Sequence, residues 1–210
     1  MRIRIKICGI TREEDAVAAA RCGADAIGCV FAPDSPRYVT ADAAAALLCR
    51  VPPFVTKVAV FVDPTHEWVT RVLRSVPVDV LQFQGDEPPE FCESFAKPYV
   101  KTLRVRKDEA LPELETWHTR ANALLLDTFV PGRHGGTGEV FDWKCWPRHS
   151  SRPLILAGGL DVSNVGAAIR ALRPWAVDVS GGVEGASRGE KDPRKIGLFI
   201  DEAHRAANEI

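Results

Sequence analysis

Cys8 closes a short alternating segment, Ile3-Arg4-Ile5-Lys6-Ile7-Cys8, and is followed at once by Gly9 and by a helix-start signal, Thr11-Arg12-Glu13-Glu14. A thiol at the carboxyl end of a first strand occupies the place where α/β barrels carry their chemistry. Side chains alternate along a strand, so Cys8, Lys6 and Arg4 share one face while Ile3, Ile5 and Ile7 share the other. With the isoleucines set against helices, the polar face lines an interior. A cation beside a thiol favours the thiolate, the form able to accept a proton. The competing reading is a buried, inert cysteine that fills a core.

Positioning such a thiol requires a repeated strand-and-helix unit, and the chain supplies one. Short β-branched or apolar runs recur at Ile3–Cys8, Ala26–Phe31, Lys57–Val62, Val78–Phe83, Tyr99–Leu103, Ala123–Asp127, Pro153–Ala157 and Ala176–Ser180. Between them lie helical patterns at Glu13–Arg21, Ala41–Leu48, Glu67–Arg74, Pro89–Ser94, Val162–Leu172 and Pro193–Ala207, several opened by Thr, Asp or Pro as first-turn chemistry prefers. Strands alternating with helices demand a parallel sheet with crossover helices. Eight units predict closure into one α/β domain over residues 1–210, a (β/α)8 TIM barrel with eight parallel strands and outer helices. An open doubly wound sheet is the alternative, but it needs no eighth strand and opens with a Gly-rich first turn, which Cys8-Gly9-Ile10-Thr11 is not.

Barrel logic then asks which groups collect at the strand carboxyl ends. They are Cys8, Arg37 after the second strand, Asp63 after the third, Gln82 and Gln84 around the end of the fourth, and Asp127 ending the sixth. A thiol and a carboxylate at one mouth make a general base and a general acid when their environments separate their proton affinities. Gly158-Gly159 follow the seventh strand and Ser180-Gly181-Gly182 the eighth. Exposed amides of such turns, with a short helix beginning near Val183, would cradle a phosphate. The loop Gly132–Gly138, with Arg133 and His134, reads either as a connector or as a lid that covers bound substrate.

Composition narrows the partner. Lys and Arg total 27 against 28 Asp and Glu, so no bulk field favours nucleic acid or an anionic membrane, and a small-molecule partner fits better. Six cysteines form no C-x-x-C pair, and the amino terminus lacks a secretory apolar stretch, which predicts reduced thiols in a cytoplasm. No apolar run approaches the roughly 20 residues that cross a bilayer. His66, His118, His149 and His204 fall in helices or outer loops without the spacing of a metal pair, so they read as surface residues, and no metal or other cofactor is expected. Cys22, Cys29, Cys49, Cys92 and Cys145 read as small hydrophobes.

The chain resembles the phosphoribosylanthranilate isomerases of tryptophan biosynthesis along nearly its whole length. The resemblance rests on Lys6-Ile7-Cys8-Gly9-Ile10-Thr11, Ser35-Pro36-Arg37, Val60-Phe61-Val62, Leu81-Gln82-Phe83-Gln84-Gly85 and Leu126-Asp127-Thr128. It continues through Gly135-Gly136-Thr137-Gly138, Phe141-Asp142-Trp143, Leu156-Ala157-Gly158-Gly159-Leu160, Asn164-Val165 and Val177-Asp178-Val179-Ser180-Gly181-Gly182-Val183-Glu184, before Lys191-Asp192. It implies an Amadori-type rearrangement of N-(5-phosphoribosyl)anthranilate, needing no external electron carrier. Asp127 would protonate the furanose ring oxygen as general acid, and Cys8 would remove the C2 proton of the resulting Schiff base. Arg37 would pair with the anthranilate carboxylate, and the backbone at Gly159, Gly181 and Gly182 would hold the phosphate. Two departures stand out: Gln84 where the family usually has His, and Gly181 where it usually has Ser. They bear on affinity and substrate preference more than on the acid or base.

A cation one layer beneath a barrel mouth must find a carboxylate or lose its proton. Asp178 lies at matching depth on the eighth strand, so Lys6 and Asp178 are expected to pair and to help hold Cys8 as thiolate, with Gln82 as a further supporting residue. Other sugar-phosphate isomerases or epimerases, and a catalytically silent phosphosugar-binding barrel, are the competing functions. A monomer is the expected state, with a homodimer as the alternative.

Overall fold

A computed structural model of the chain describes residues 2–105, 111, 113–114, 116–128, 143–147 and 149–210. Eight strands, β1 (Arg4–Cys8), β2 (Ala26–Val30), β3 (Thr56–Phe61), β4 (Val80–Phe83), β5 (Tyr99–Val105), β6 (Ala123–Thr128), β7 (Leu154–Leu156) and β8 (Ala176–Val179), run parallel in chain order, and β8 closes onto β1. Around them lie α1 (Glu13–Cys22), α2 (Ala41–Leu48), α3 (His66–Ser75), α4 (Pro89–Glu93), α5 (Val165–Leu172) and α6 (Pro193–Asn208). The closed (β/α)8 barrel expected from the strand and helix alternation is the observed fold.

The two-residue period sorts the core into layers. Ile3, Ile5 and Ile7 belong to the large cluster between sheet and helices, where each buried side chain contributes roughly 1.5–3 kcal/mol. Cys8, Val30, Val58 and Val60 pack together inside the barrel, and Leu125, Ile155, Ala157 and Ala176 form a second interior cluster.

Short polar side chains fix where strands begin. The carboxylate of Asp25 accepts from the Ile5 amide at 2.9 Å, Asp79 does the same for the Lys57 amide at 2.9 Å, and Asn122 Oδ1 for the Tyr99 amide at 3.0 Å. Each sits just before the next strand and supplies an acceptor that the ladder lacks. Strand β4 starts at Val80 and not at Val78 because the Val78 amide turns back to the Val76 carbonyl at 2.8 Å and so stays out of the ladder. Helices α2, α3 and α6 are capped by Thr40, Thr65 and Asp192, which accept from first-turn amides, and α1 ends at Gly23 in the left-handed conformation.

The structure corrects four further sequence expectations. Helix α5 begins at Val165, not Val162, because Asp161 Oδ1 accepts from the Ser163 and Asn164 amides and winds a turn ahead of it. No helix starts near Val183. The segment is a turn closed by the Glu184 amide on the Gly181 carbonyl at 3.1 Å, and it doubles back to bridge Lys191. His118 is buried, not on the surface; its ring lies 4.6 Å from that of Trp117 and 6.1 Å from that of Tyr99. Cys49, read as a small hydrophobe, is exposed at the end of α2. The candidate lid at 132–138 lies outside the described residues. Among the described residues, no helix is long and apolar enough to cross a membrane.

Candidate active site

At the carboxyl ends of the strands a cavity of about 340 Å³ opens, lined by residues of β1, β2, β4, β6 and β8 and of the loops that follow β2, β4, β7 and β8. Cys8, Arg37, Gln82, Asp127, Gly159, Asp178, Gly181 and Gly182, drawn from across the sequence, all reach it. Lys6 lies beneath, and Asp63 stays outside, its Oδ1 accepting from the Asp86 amide at 2.6 Å.

The floor is ionic. Lys6 Nζ lies 2.7 Å from Asp178 Oδ2, both side chains buried, as expected from their depth, and the strand register pairs the two residues directly. Burial pulls the Lys6 pKa down, but Asp178, and Cys8 after it, more than offset this and hold it above its ordinary value. For Cys8 the balance goes the other way. Burial raises the thiol pKa, Lys6 lowers it, Asp178 raises it again, and the net direction is up. Lys6 thus pushes Cys8 toward the thiolate, the direction expected of it, while burial pushes harder the other way. Lys6 limits the penalty of burial without reversing it. Space for both side chains comes from Gly28 on β2, where an added Cβ would sit 3.0 Å from the Cys8 sulfur and 3.1 Å from Lys6 Cε.

Asp127, the inward residue near the end of β6, is buried and faces an amide chain. Gln84 Nε2 donates to Asp127 Oδ2 at 3.3 Å, and Gln82 Nε2 reaches Gln84 Oε1 at 3.5 Å. Amides do not titrate, so this chain orients the carboxylate without adding an ionisation of its own. The loop that carries Gln84 is braced from behind by Glu87, which accepts from the Asp63 and Gly85 amides and from buried Lys101 Nζ at 2.8 Å.

Arg37 is fixed by a fork that the sequence reading missed. Its Nε and Nη2 donate to Glu184 Oε1 and Oε2 at 2.6 and 2.9 Å, in a buried bidentate pair. Glu184 also accepts from Lys191 Nζ at 3.2 Å and from the Gly189 amide at 3.0 Å. Burial raises the Glu184 pKa, but the Arg37 hydrogen bonds, with Lys191 and Gly189, outweigh it and hold the carboxyl below its ordinary value. Two cations and one carboxylate leave one positive charge in this buried cluster, and Arg37 Nη1 has no acceptor among the described residues. An incoming carboxylate fits both facts. A cluster of charges between the eighth strand and Pro193 was the available signal, yet nothing local ties Glu184 to a residue 147 positions earlier.

The glycine turns after β7 and β8 meet. Asp161 and Gly182 form a parallel bridge, and a Cβ on Gly182 would collide with the Leu160 carbonyl, so only glycine lets the loops after β7 and β8 approach this closely. Gly159 has φ of 62°. At Gly181 an added Cβ would lie 3.5 Å from Arg37 Nη2, so this backbone and the guanidinium border the same space. Arg188, exposed on the rim, was also missed. Among the described residues, no cluster of three or more His, Cys, Asp or Glu could hold a metal ion.

Comparison with known proteins bears on what such a site does. A family model described as N-(5'phosphoribosyl)anthranilate (PRA) isomerase matches residues 5–202. The N-(5'-phosphoribosyl)anthranilate isomerase of Thiobacillus denitrificans is 52% identical over 203 residues, covering 97% of this chain and 98% of that protein. The phosphoribosyl anthranilate isomerase structure from Thermus thermophilus superposes with a TM-score of 0.86 at 38% identity, covering 97% and 99% of the two chains. A phosphoribosyl anthranilate isomerase solved with reduced 1-(o-carboxyphenylamino)-1-deoxyribulose 5-phosphate superposes with a TM-score of 0.79 at 38% identity, covering 97% of this chain and all of that one.

Proposed function

Because the chain belongs to the N-(5'-phosphoribosyl)anthranilate isomerase family, we propose that Cys8 is the general base and Asp127 the general acid of its reaction. That reaction is the isomerisation of N-(5'-phosphoribosyl)anthranilate to 1-(2-carboxyphenylamino)-1-deoxyribulose 5-phosphate in tryptophan biosynthesis. Protonated Asp127 delivers its proton to the furanose ring oxygen as the C1–O bond breaks, leaving a protonated Schiff base. Cys8, acting through its thiolate, the minor form while burial holds the thiol above its ordinary value, then takes the C2 proton, whose acidity the iminium nitrogen raises, and an enolamine forms. Moving the hydroxyl proton off O2 and a proton onto C1 gives the ketone. Arg37 grips the anthranilate carboxylate through Nη1, and the amides around Gly159, Gly181 and Gly182 bind the phosphate. Gln82 supports Asp127 through Gln84, while Lys6 and Asp178 form the charged floor.

The observation that carries this reading is that Cys8 and Asp127, on strands three apart round the barrel, line one cavity that also holds the Arg37 fork and both glycine turns. We assign the whole chain to one barrel domain, acting as a monomer in a reducing cytoplasm; all six cysteines are free. The test replaces Cys8 by Ser and Asp127 by Asn and follows the fluorescence of phosphoribosylanthranilate. Each change should lower kcat by roughly 100-fold or more while the reduced product analogue still binds. Turnover retained in both variants would overturn the assignment.

A further inference from the structure

Asp178 has a second carboxylate oxygen that takes no part in the Lys6 pair. Oδ2 is taken by Lys6, whereas Oδ1 is buried with no hydrogen-bond partner among the described residues. Leaving such an oxygen without a donor is costly, so it marks a place where a ligand donor belongs. Asp178 is 8% exposed and lines the cavity. Thr102 Oγ1 and Trp143 Nε1 are likewise unpartnered, but neither residue lines it.

Depth identifies the kind of donor. The register sets Asp178 beside Lys6, and Cys8 lies two residues further along β1 on the same inward face, so the carboxylate sits one layer below the sulfur. An ionised carboxylate only accepts hydrogen bonds and repels other anions. The benzoate and phosphate groups of the substrate therefore stay above, at Arg37 and the glycine turns. The hydroxyls of the pentose are the donors left for the floor.

We propose that Asp178 is a substrate-binding residue whose Oδ1 accepts the hydrogen of a ribose hydroxyl on, or next to, the carbon that Cys8 deprotonates. The placement of that carbon rests on the proposed role of Cys8. Asp178 then does two jobs with its two oxygens: Oδ2 keeps Lys6 charged, and Oδ1 orients the sugar and discriminates ribosyl from deoxyribosyl substrates.

Three unreactive ligands test this: the products of reductive amination of ribose 5-phosphate, 2-deoxyribose 5-phosphate and 3-deoxyribose 5-phosphate with anthranilate. Their affinities are measured by titration calorimetry on the wild type, Asp178→Asn and Lys6→Met, with thermal melts to check folding. The wild type should bind the ribose-derived ligand roughly 10- to 100-fold more tightly than one of the deoxy ligands, as expected for a hydrogen bond to a charged group. Asp178→Asn keeps an acceptor but loses the charge, so it should bring that discrimination below roughly 10-fold. Lys6→Met breaks the ion pair but keeps Oδ1, so it should retain the discrimination, which a purely structural role for Asp178 would not allow. If Asp178→Asn fails to fold, the neutral pair Lys6→Met/Asp178→Asn carries the same measurement. Equal affinity of the wild type for all three ligands, discrimination undiminished in Asp178→Asn, or its loss in Lys6→Met would overturn the proposal. None of these ligands turns over, so an error in the roles of Cys8 and Asp127 would appear only in the kinetics of Cys8→Ser and Asp127→Asn.

Discussion

Replacing Lys6 by Met keeps the length and apolar stem of the side chain and removes its charge, leaving Asp178 buried without a counter-ion. At 2.7 Å and an effective dielectric constant of about 20, the attraction between the two charges is about 6 kcal/mol. Desolvation of both groups offsets part of it, and breaking a buried pair from one side costs about 3–5 kcal/mol net. That is a large share of the roughly 5–15 kcal/mol that separates folded from unfolded chains. Asp178→Leu should cost a similar amount for the mirror-image reason. The double variant Lys6→Met/Asp178→Leu leaves two apolar neighbours and no orphan charge, so its loss should fall short of the sum of the single losses by at least about 2 kcal/mol. Urea unfolding followed by circular dichroism and by Trp fluorescence measures all four proteins. Additive single losses, or a Lys6→Met variant within about 1 kcal/mol of wild type, would refute the buried ion pair.

Three further outcomes follow from the same geometry. Arg37→Lys gives up the planar fork, so one ammonium must serve both Glu184 and the substrate carboxylate; KM should rise roughly 10- to 100-fold with kcat much less affected, and an unchanged KM would contradict the carboxylate role. Because burial holds the Cys8 thiol above its ordinary value near 9.0, alkylation by iodoacetamide at pH 8, tracked peptide by peptide, should be slower at Cys8 than at exposed Cys49 and should accelerate past pH 9; preferential labelling of Cys8 at neutral pH would contradict this. Burial, then the charges of Lys101 and Arg152, lower the His118 pKa from 6.5 to about 4. The unfolded chain therefore binds this proton first, and the contribution of the neutral ring, about 3 kcal/mol, is present above pH 6.5 and is lost as the pH falls from there to about 4. His118→Phe should flatten that part of the stability profile in urea titrations at a series of pH values.

Much of this was legible from local pattern because barrels are built from local rules. The period-two alternation at Ile3–Cys8 assigned the faces of β1, and the depth of Lys6 on that strand demanded a carboxylate at the depth of Asp178. What stayed hidden depends on contacts between distant loops. Glu184 shows no local sign of a partner, and only the fold brings Arg37 to it across 147 residues. His118 follows a turn that the sequence places outside the barrel, and only packing against Tyr99 and Trp117 buries it. The expected helix at Val183 failed for a related reason: Glu184 and Lys191 bind across the loop, which holds the backbone in a turn. The direction of the Cys8 shift was out of reach as well, since it depends on whether burial or Lys6 prevails, and spacing cannot weigh the two.

Proton removal by Cys8 is tested most directly by rapid mixing of enzyme with substrate that carries hydrogen or deuterium at C2, read over the first turnover. The wild type should convert the deuterated substrate more slowly, and Cys8→Ser should convert both forms hardly at all while still binding the reduced product analogue. A Cys8→Ser enzyme that turns over at the wild-type rate with the same isotope effect would contradict the account.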